Sequence, residues 1–367
     1  MRIPAPLVNA DEPESRRCFN IGLMSVSILL YSFTNYGYGA QMGWWNFFQN
    51  SYLSADGAVR DTGNENVSHS EGQGYGMLLA VAFGDRPVFE RLLRWTQGNL
   101  GVRDDGLFAW RKYPGRPVQR DDSNNATDGD ILIAWALLRA ARAWQSEEYR
   151  RLAARIAREI LTKCVVEIEG DLVLRPGSGG FDRPTHLVVN LSYYVFPALY
   201  EFAAQLPDRR WNRLIAHGLT MMDHARYGRS RLIPDWVAHP RGVGRMVPAA
   251  GWPARFSWDA VRIPLYMGWA GHAADPALDP VMEFWFDPRW ARGSPAWWDL
   301  HQDIPAPYGA TSGIRAVAAL MLALRLNTRR EPLFPRISAS EDYYNCALNV
   351  LSRLAWAEAR PTGTPMS

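Results

Sequence analysis

From Gly43 onward, apolar residues recur at three- and four-residue spacing in segment after segment, the period of a helix with one buried face. The spacing predicts helices over residues 44–52, 71–83, 87–99, 127–145, 147–163, 187–205, 208–227, 258–273, 276–290, 312–326 and 341–357. The clearest is 127–145, where Ile131, Ile133, Ala134, Leu137, Leu138 and Ala141 build a wide apolar face edged by Arg139 and Arg142. Among the few β-prone pieces, Val165 to Ile168 and Leu172-Val173-Leu174 read as one hairpin turning at Glu169-Gly170-Asp171. The Pro- and Gly-rich stretch 237–253 lies inside the helical pattern and reads as a long loop, not a domain boundary. There are no heptads, short-period repeats or low-complexity linkers. The fold class is all-α in one domain, either helical hairpins closed into a toroid or an irregular bundle.

A chain of 367 residues and 41.5 kDa is long enough to bury one large core. Its formal charge of +3, with the arginines scattered, makes no nucleic-acid footprint. The 16 Trp and 15 Tyr are more than a core of this size asks for, and indole and phenol faces form the platforms on which sugar rings lie. The cysteines, Cys18, Cys164 and Cys346, form no CxxC pair and no Cys/His cluster, so neither a structural metal nor a cofactor is called for. Cys164 and Cys346 read as buried free thiols, with one disulfide between them as the alternative.

No charged residue occurs between Arg17 and Asp56, and residues 21–33 are almost continuously apolar, followed by Gly37-Tyr38-Gly39-Ala40. A basic start, a short apolar run and small residues at a cleavage site describe a secretory signal peptide over residues 1–40. The domain is then 41–367, periplasmic or secreted. The run falls short of the roughly 20 residues that span a bilayer, so no stable membrane span is expected after cleavage. An uncleaved anchor is the alternative. Ser15-Arg16-Arg17-Cys18-Phe19 also resembles a twin-arginine export signal. Cys18 lacks the small apolar residues of a lipoprotein signal before it.

Three acidic stretches carry the chemistry. In Ser68-His69-Ser70-Glu71-Gly72-Gln73-Gly74-Tyr75-Gly76-Met77, three glycines follow Glu71 at the start of a helix. Each glycine costs about 0.8–1 kcal/mol against alanine inside a helix. Their use is therefore steric, letting a substrate or a neighbouring backbone approach. The plainer alternative for Glu71 is a solvated carboxylate facing a helix dipole. In Ala126-Thr127-Asp128-Gly129-Asp130, one residue suffices as the N-cap, worth about 1 kcal/mol. That part goes to Asp130 and leaves Asp128 as a candidate. In Arg255-Phe256-Ser257-Trp258-Asp259-Ala260-Val261-Arg262-Ile263-Pro264, Asp259 and Arg262 stand three apart on one predicted helix face in aromatic, apolar company. Two carboxyls in different environments are the equipment of glycosidic bond cleavage, one protonated to release the leaving oxygen and one ionised to activate water. Glu71 suits the first part, and Asp259, kept ionised beside Arg262, the second.

Taken together, these stretches resemble glycoside hydrolase family 8. Ser70 to Met77 is similar to the block around the family's general acid. Ala126 through Ala140, ending at Trp144, is similar to its signature, and Trp258-Asp259-Ala260-Val261-Arg262 to the block holding its base. The resemblance implies an (α/α)6 barrel and inverting endo-hydrolysis of β-1,4-glycans, with acid and base carboxyls about 6.5–9.5 Å apart. It implies Glu71 as acid, Asp259 as base, Asp128 holding the sugar at the cleavage point, Arg262 steadying Asp259, Tyr193 near the attacking water and Trp110 as a sugar platform. For Trp110 the alternative is a core tryptophan, and Leu191 stands where the family commonly has proline. A secreted domain of this kind is similar to the endoglucanases (cellulases) that accompany bacterial cellulose synthase, so a cellulose chain and the synthase export complex are the expected partners. The alternatives are a xylanase or chitosanase of the same family, a non-catalytic glycan-binding scaffold, and, lower, an eliminating lyase.

Overall fold

The computed structural model of the chain describes residues 35–290 and 293–359. The expected leader therefore lies outside the described residues up to position 34, as does Cys18. Among the described residues there are eleven α-helices: α1 (Asn35–Tyr52), α2 (Ser70–Ala82), α3 (Arg86–Asn99), α4 (Thr127–Trp144), α5 (Glu147–Glu159), α6 (Phe196–Gln205), α7 (Arg210–His224), α8 (Arg262–Trp269), α9 (Asp279–Trp285), α10 (Ser312–Arg325) and α11 (Tyr343–Glu358). Several begin where a side chain satisfies an otherwise unpaired backbone N–H. Asp85 accepts from Val88 N, Ser146 from Tyr149 N and Asp342 from Asn345 N. Gln145, in the left-handed conformation, stops α4.

Neighbouring helices pack as hairpins, α2 with α3, α4 with α5, α6 with α7 and α10 with α11. Sideways, α4 touches α2 and α6, while α8 touches α6, α10 and α11. α2, α4, α8 and α11 are buried around most of their circumference, whereas α3, α5 and α7 bury one stripe and expose their backs. The result is an inner ring of helices wrapped by an outer one, the (α/α)6 barrel. Trp45, Trp135 and Trp211 are wholly enclosed in its core, which accounts for part of the tryptophan surplus. Cys164 and Cys346 are buried free thiols. No helix among the described residues is long and apolar enough to cross a membrane.

Short antiparallel strands decorate the barrel. β1 (Ser68–His69) pairs with β2 (Arg111–Lys112), and β3 (Val165–Ile168) with β4 (Asp171–Leu174). β5 (His186–Val189), β6 (Val237–Pro240) and β7 (Val247–Pro248) make one sheet, and β8 (Arg255–Phe256), β9 (Trp298–Asp299) and β10 (Ile304–Pro305) another. The expected hairpin is thus β3–β4, one residue tighter than read, because Glu169 and Gly170 both adopt positive φ and make a two-residue turn. The helix predicted over 187–205 is corrected. Its first three residues belong to β5, where Val188 and Val189 are β-branched, and Asn190 then caps Ser192 N to start a short 3-10 turn ahead of α6. The stretch 237–253 is likewise not simply loop, since it supplies β6 and β7.

The glycines after Glu71 serve helix contact, not an opening for substrate. A Cβ on Gly74 would stand 2.5 Å from Leu132 Cβ, one on Gly72 2.9 Å from the Tyr343 hydroxyl, and one on Gly76 2.9 Å from Val59. Reciprocally, a Cβ on Gly129 would overlap the Ser70 hydroxyl and sit 2.8 Å from Glu71 N. α2 and α4 therefore meet backbone to backbone. Gly129→Ala should lower the melting temperature by about 2–6 °C, because overpacking of about 1–3 kcal/mol outweighs the gain in helix propensity. Gly98→Ala on α3, where a Cβ meets open space, should leave it equal or slightly higher. A thermal melt of Gly129→Ala as stable as the parent would contradict the close crossing.

Candidate active site

The inner helices α2, α4, α6, α8 and α11 bring their N-terminal ends to one region of the barrel, and every residue singled out from the sequence lies on or beside that end. Glu71 is the second residue of α2 and Asp128 the second of α4. Tyr193 sits in the 3-10 turn ahead of α6, and Arg262 is the first residue of α8. Asp259 is not on the helix, as the spacing predicted, but in the turn preceding it, where Arg262 N donates to its carbonyl at 3.1 Å.

One guanidinium joins the three acids. Arg262 Nη1 contacts Glu71 Oε1 and lies 3.1 Å from Asp128 Oδ2, while Nη2 donates to Asp259 Oδ1 at 2.7 Å and to Ser192 Oγ at 2.9 Å. Arg262 and Asp128 are buried, whereas Glu71 and Asp259 keep partial exposure at 18% and 30% of their side chains. The tyrosine at position 75, one turn below Glu71, donates to Glu71 Oε1 at 2.9 Å and meets the Tyr266 hydroxyl at 2.7 Å. Asp128 Oδ1 accepts from Gly129 N at 2.8 Å. Tyr193 faces the Arg262 guanidinium at 5.8 Å. Trp110 stacks parallel on His69, with the Arg111 guanidinium 4.1 Å from its ring centre, and its carbonyl accepts from Ser70 N.

A single positive charge cannot balance three ionised carboxyls in a buried cluster, and the proton affinities reflect it. Burial, with Asp259 next, holds the Asp128 carboxyl far above the usual range. Burial and the nearby Asp235 carboxylate push Asp259 up to about 7, against Asn190 and the Trp236 indole N–H. Asp259 is thus a carboxyl poised near neutrality, where Arg262 alone would have held it low. Burial, then Asp128 and Asp259, raise the Tyr193 hydroxyl well above its ordinary value. Asp130, read as the N-cap, is no cap. It is buried, accepts from Phe108 N at 2.9 Å and Asn125 Nδ2 at 2.8 Å, and burial pushes it to about 7. Ala126 occupies the cap position instead.

Several residues of the site were not singled out by sequence. Trp236 donates its indole N–H to Asp259 Oδ2 at 3.1 Å and lies in a stack between Phe181 and Trp252. The Tyr344 hydroxyl bonds the Trp258 carbonyl beside Asp259. Asp235 accepts from the turn that carries Asp259. Only the acidic-aromatic pair Asp235-Trp236 gave a local signal. Among the described residues no group of three or more His, Cys, Asp or Glu side chains is placed to hold a metal ion.

Fold and site define a helical barrel whose inner-helix N-termini gather acidic and aromatic side chains in one cleft. Residues 17–358 match the family described as glycosyl hydrolases family 8, and the chain belongs to that family. It is 40% identical over 314 residues to a probable endoglucanase of Novacetimonas hansenii, covering 86% of this chain and 90% of that one. It is 42% identical over 288 residues to an endoglucanase of Cellulomonas uda, covering 78% and 79% respectively. Among solved structures, the endo-β-1,4-glucanase of Acetobacter xylinum superposes with a TM-score of 0.81 at 39% identity, over 88% of this chain and 99% of that one.

The raised carboxyls make stability depend on pH. Unfolded carboxyls titrate near 4. Between that value and about 7 the native state therefore holds protons on Asp128, Asp130 and Asp259 that the unfolded chain has released, and stability falls as pH rises through the window. Half-buried His69, depressed to about 4, works in the opposite sense only below about 6.5, where unfolded histidine takes up a proton. From pH 6.5 to 8 the melting temperature should fall, and Asp130→Asn should flatten that fall. A melting temperature that rises across this interval would contradict the burial of protonated carboxyls.

Proposed function

We propose that this chain is an exported, inverting endo-β-1,4-glucanase that cleaves cellulose-type chains, and that it trims or frees glucan as it is secreted. The observation that carries the reading is the convergence of Glu71, Asp128 and Asp259 on Arg262. The endoglucanase relatives support β-1,4-glucan as substrate, and the leader-like residues 1–40 support export to the periplasm or medium. Partnership with a cellulose synthase complex rests on the resemblance alone.

In this mechanism Glu71 is the general acid. Its Oε1 is held by the Tyr75 hydroxyl and the Arg262 guanidinium. This carboxyl delivers the proton to the glycosidic oxygen as the C1–O bond breaks. Asp259 is the base, taking a proton from the water that attacks C1 from the opposite face. A carboxyl with proton affinity near neutrality is a stronger base than an ordinary aspartate and still ionised in part at pH 7. Arg262 stands between Glu71 and Asp259 and keeps them from direct contact, as inversion with an intervening water requires. Tyr193 borders the water, Asp128 holds the sugar at the cleavage point, and Trp110, fixed by His69 and Arg111, offers its indole to a neighbouring sugar.

Glu71→Gln and Asp259→Asn should each lower kcat on carboxymethylcellulose by about 10²–10⁴-fold. Substrate affinity and melting temperature should stay close to the parent's. Parent-like turnover in either variant would refute its assigned role. The first-formed product followed by NMR should be the α-anomer, and an initial β-anomer would exclude inversion. Soluble xylan and chitosan, assayed alongside, should be cleaved more slowly than the glucan.

A further inference from the structure

We propose that Asp235 is a positioning residue for Asp259, gripping the turn that carries it and placing a second negative charge beside it. This rests on the assignment of Asp259 as the base. Asp235 precedes β6 and is buried at 8% exposure. Its Oδ1 accepts the backbone N–H groups of Ser257 at 2.9 Å and Ala260 at 2.8 Å, on either side of Asp259. Its Oδ2 accepts the Ser257 hydroxyl, and its own N–H donates to the Arg255 carbonyl at 2.7 Å. The next residue, Trp236, donates to Asp259 Oδ2 at 3.1 Å. The pair Asp235-Trp236 thus holds Asp259 from the backbone and from the side chain at once.

Among the described residues no arginine, lysine or histidine forms an ion pair with Asp235, and its partners are backbone N–H groups and one hydroxyl. Its charge is stabilised locally but not cancelled, so Asp259 feels it. The other groups facing Asp259 are Arg262, which favours its ionised form, and Asp128, Tyr193 and Tyr344, with Glu71 across the guanidinium. After burial, Asp235 is the largest influence raising Asp259 to about 7, while Asp235 itself rises to about 6. The design keeps a buried base strong although an arginine touches it.

Asp235→Asn separates grip from charge. Asparagine Oδ1 can accept both N–H groups and Nδ2 can donate to Ser257 Oγ, so the turn is kept and only the charge goes. The acidic limb of kcat/KM against pH should move down by about one unit, and kcat at the optimum should fall about threefold with KM unchanged. Ser257→Ala weakens the ionised form of Asp235 and should move the limb the same way by less. It decides the matter if Asp235→Asn does not fold. An acidic limb unmoved in whichever variant folds overturns the proposal. Asp259→Asn run in parallel keeps the two readings apart. If it stays active, the base assignment has failed. If it is inactive while the Asp235→Asn limb matches the parent's, the inference about Asp235 alone has failed.

Discussion

The Arg262 guanidinium is the contact on which the cleft depends. It is buried, it is the first residue of α8, and it reaches acids on α2, on α4 and in the turn ahead of its own helix. A cation at a helix N-terminus is disfavoured by the helix dipole, and a buried cation is costly unless fully bonded. Both costs are offset by the three carboxyls and the Ser192 hydroxyl around its two terminal nitrogens, while its buried Nε has no hydrogen-bond partner among the described residues. The acids need the arginine equally, since without it three carboxyls would share one buried site. The charge mismatch that remains is what leaves protons on the cluster near neutral pH.

The barrel makes this cluster possible. Gly74 and Gly129 let α2 and α4 touch along their backbones, which sets Glu71 and Asp128 side by side. A second arginine closes the other end. Arg139 lies eleven residues beyond Asp128 on α4, about 16 Å along the helix. It binds Glu201 of α6 and Glu358 of α11, and Trp269, the last residue of α8, donates to Glu358 at 2.9 Å. Two of these helices, α4 and α8, thus take part in an arginine-centred network at both ends. One end matches two carboxylates to one guanidinium and lies among tryptophans. The other is overcharged and partly open, and that excess distinguishes the cleft from the clamp.

Helix periodicity made the barrel legible, because buried inner helices and amphipathic outer ones both repeat near 3.6 residues. It failed at 187–205, where the β-branched pair Val188-Val189 and the turn-forming Asn190 competed with the apolar pattern. Glu71, Asp128, Asp259 and Arg262 were visible because they sit beside helix starts in unusual local company. Asp130 was misread as a cap because its real partners, Phe108 N and Asn125, come from a preceding loop that no spacing rule connects to it. Asp235 and Trp236 were missed for a similar reason. They lie more than twenty residues before Asp259, and only the folded chain brings them to it.

Arg262 balances a set of otherwise repelling buried carboxyls, and the melting temperature of Arg262→Met relative to the parent, followed from pH 5 to pH 8, tests this most directly. At pH 8 the carboxyls have lost the cation that joins them, and the deficit should be largest. Toward pH 5, as they take up protons, it should shrink. A deficit of the same size at every pH would mean that Arg262 contributes packing and not charge, and the balance of charges could not be what holds the cleft together.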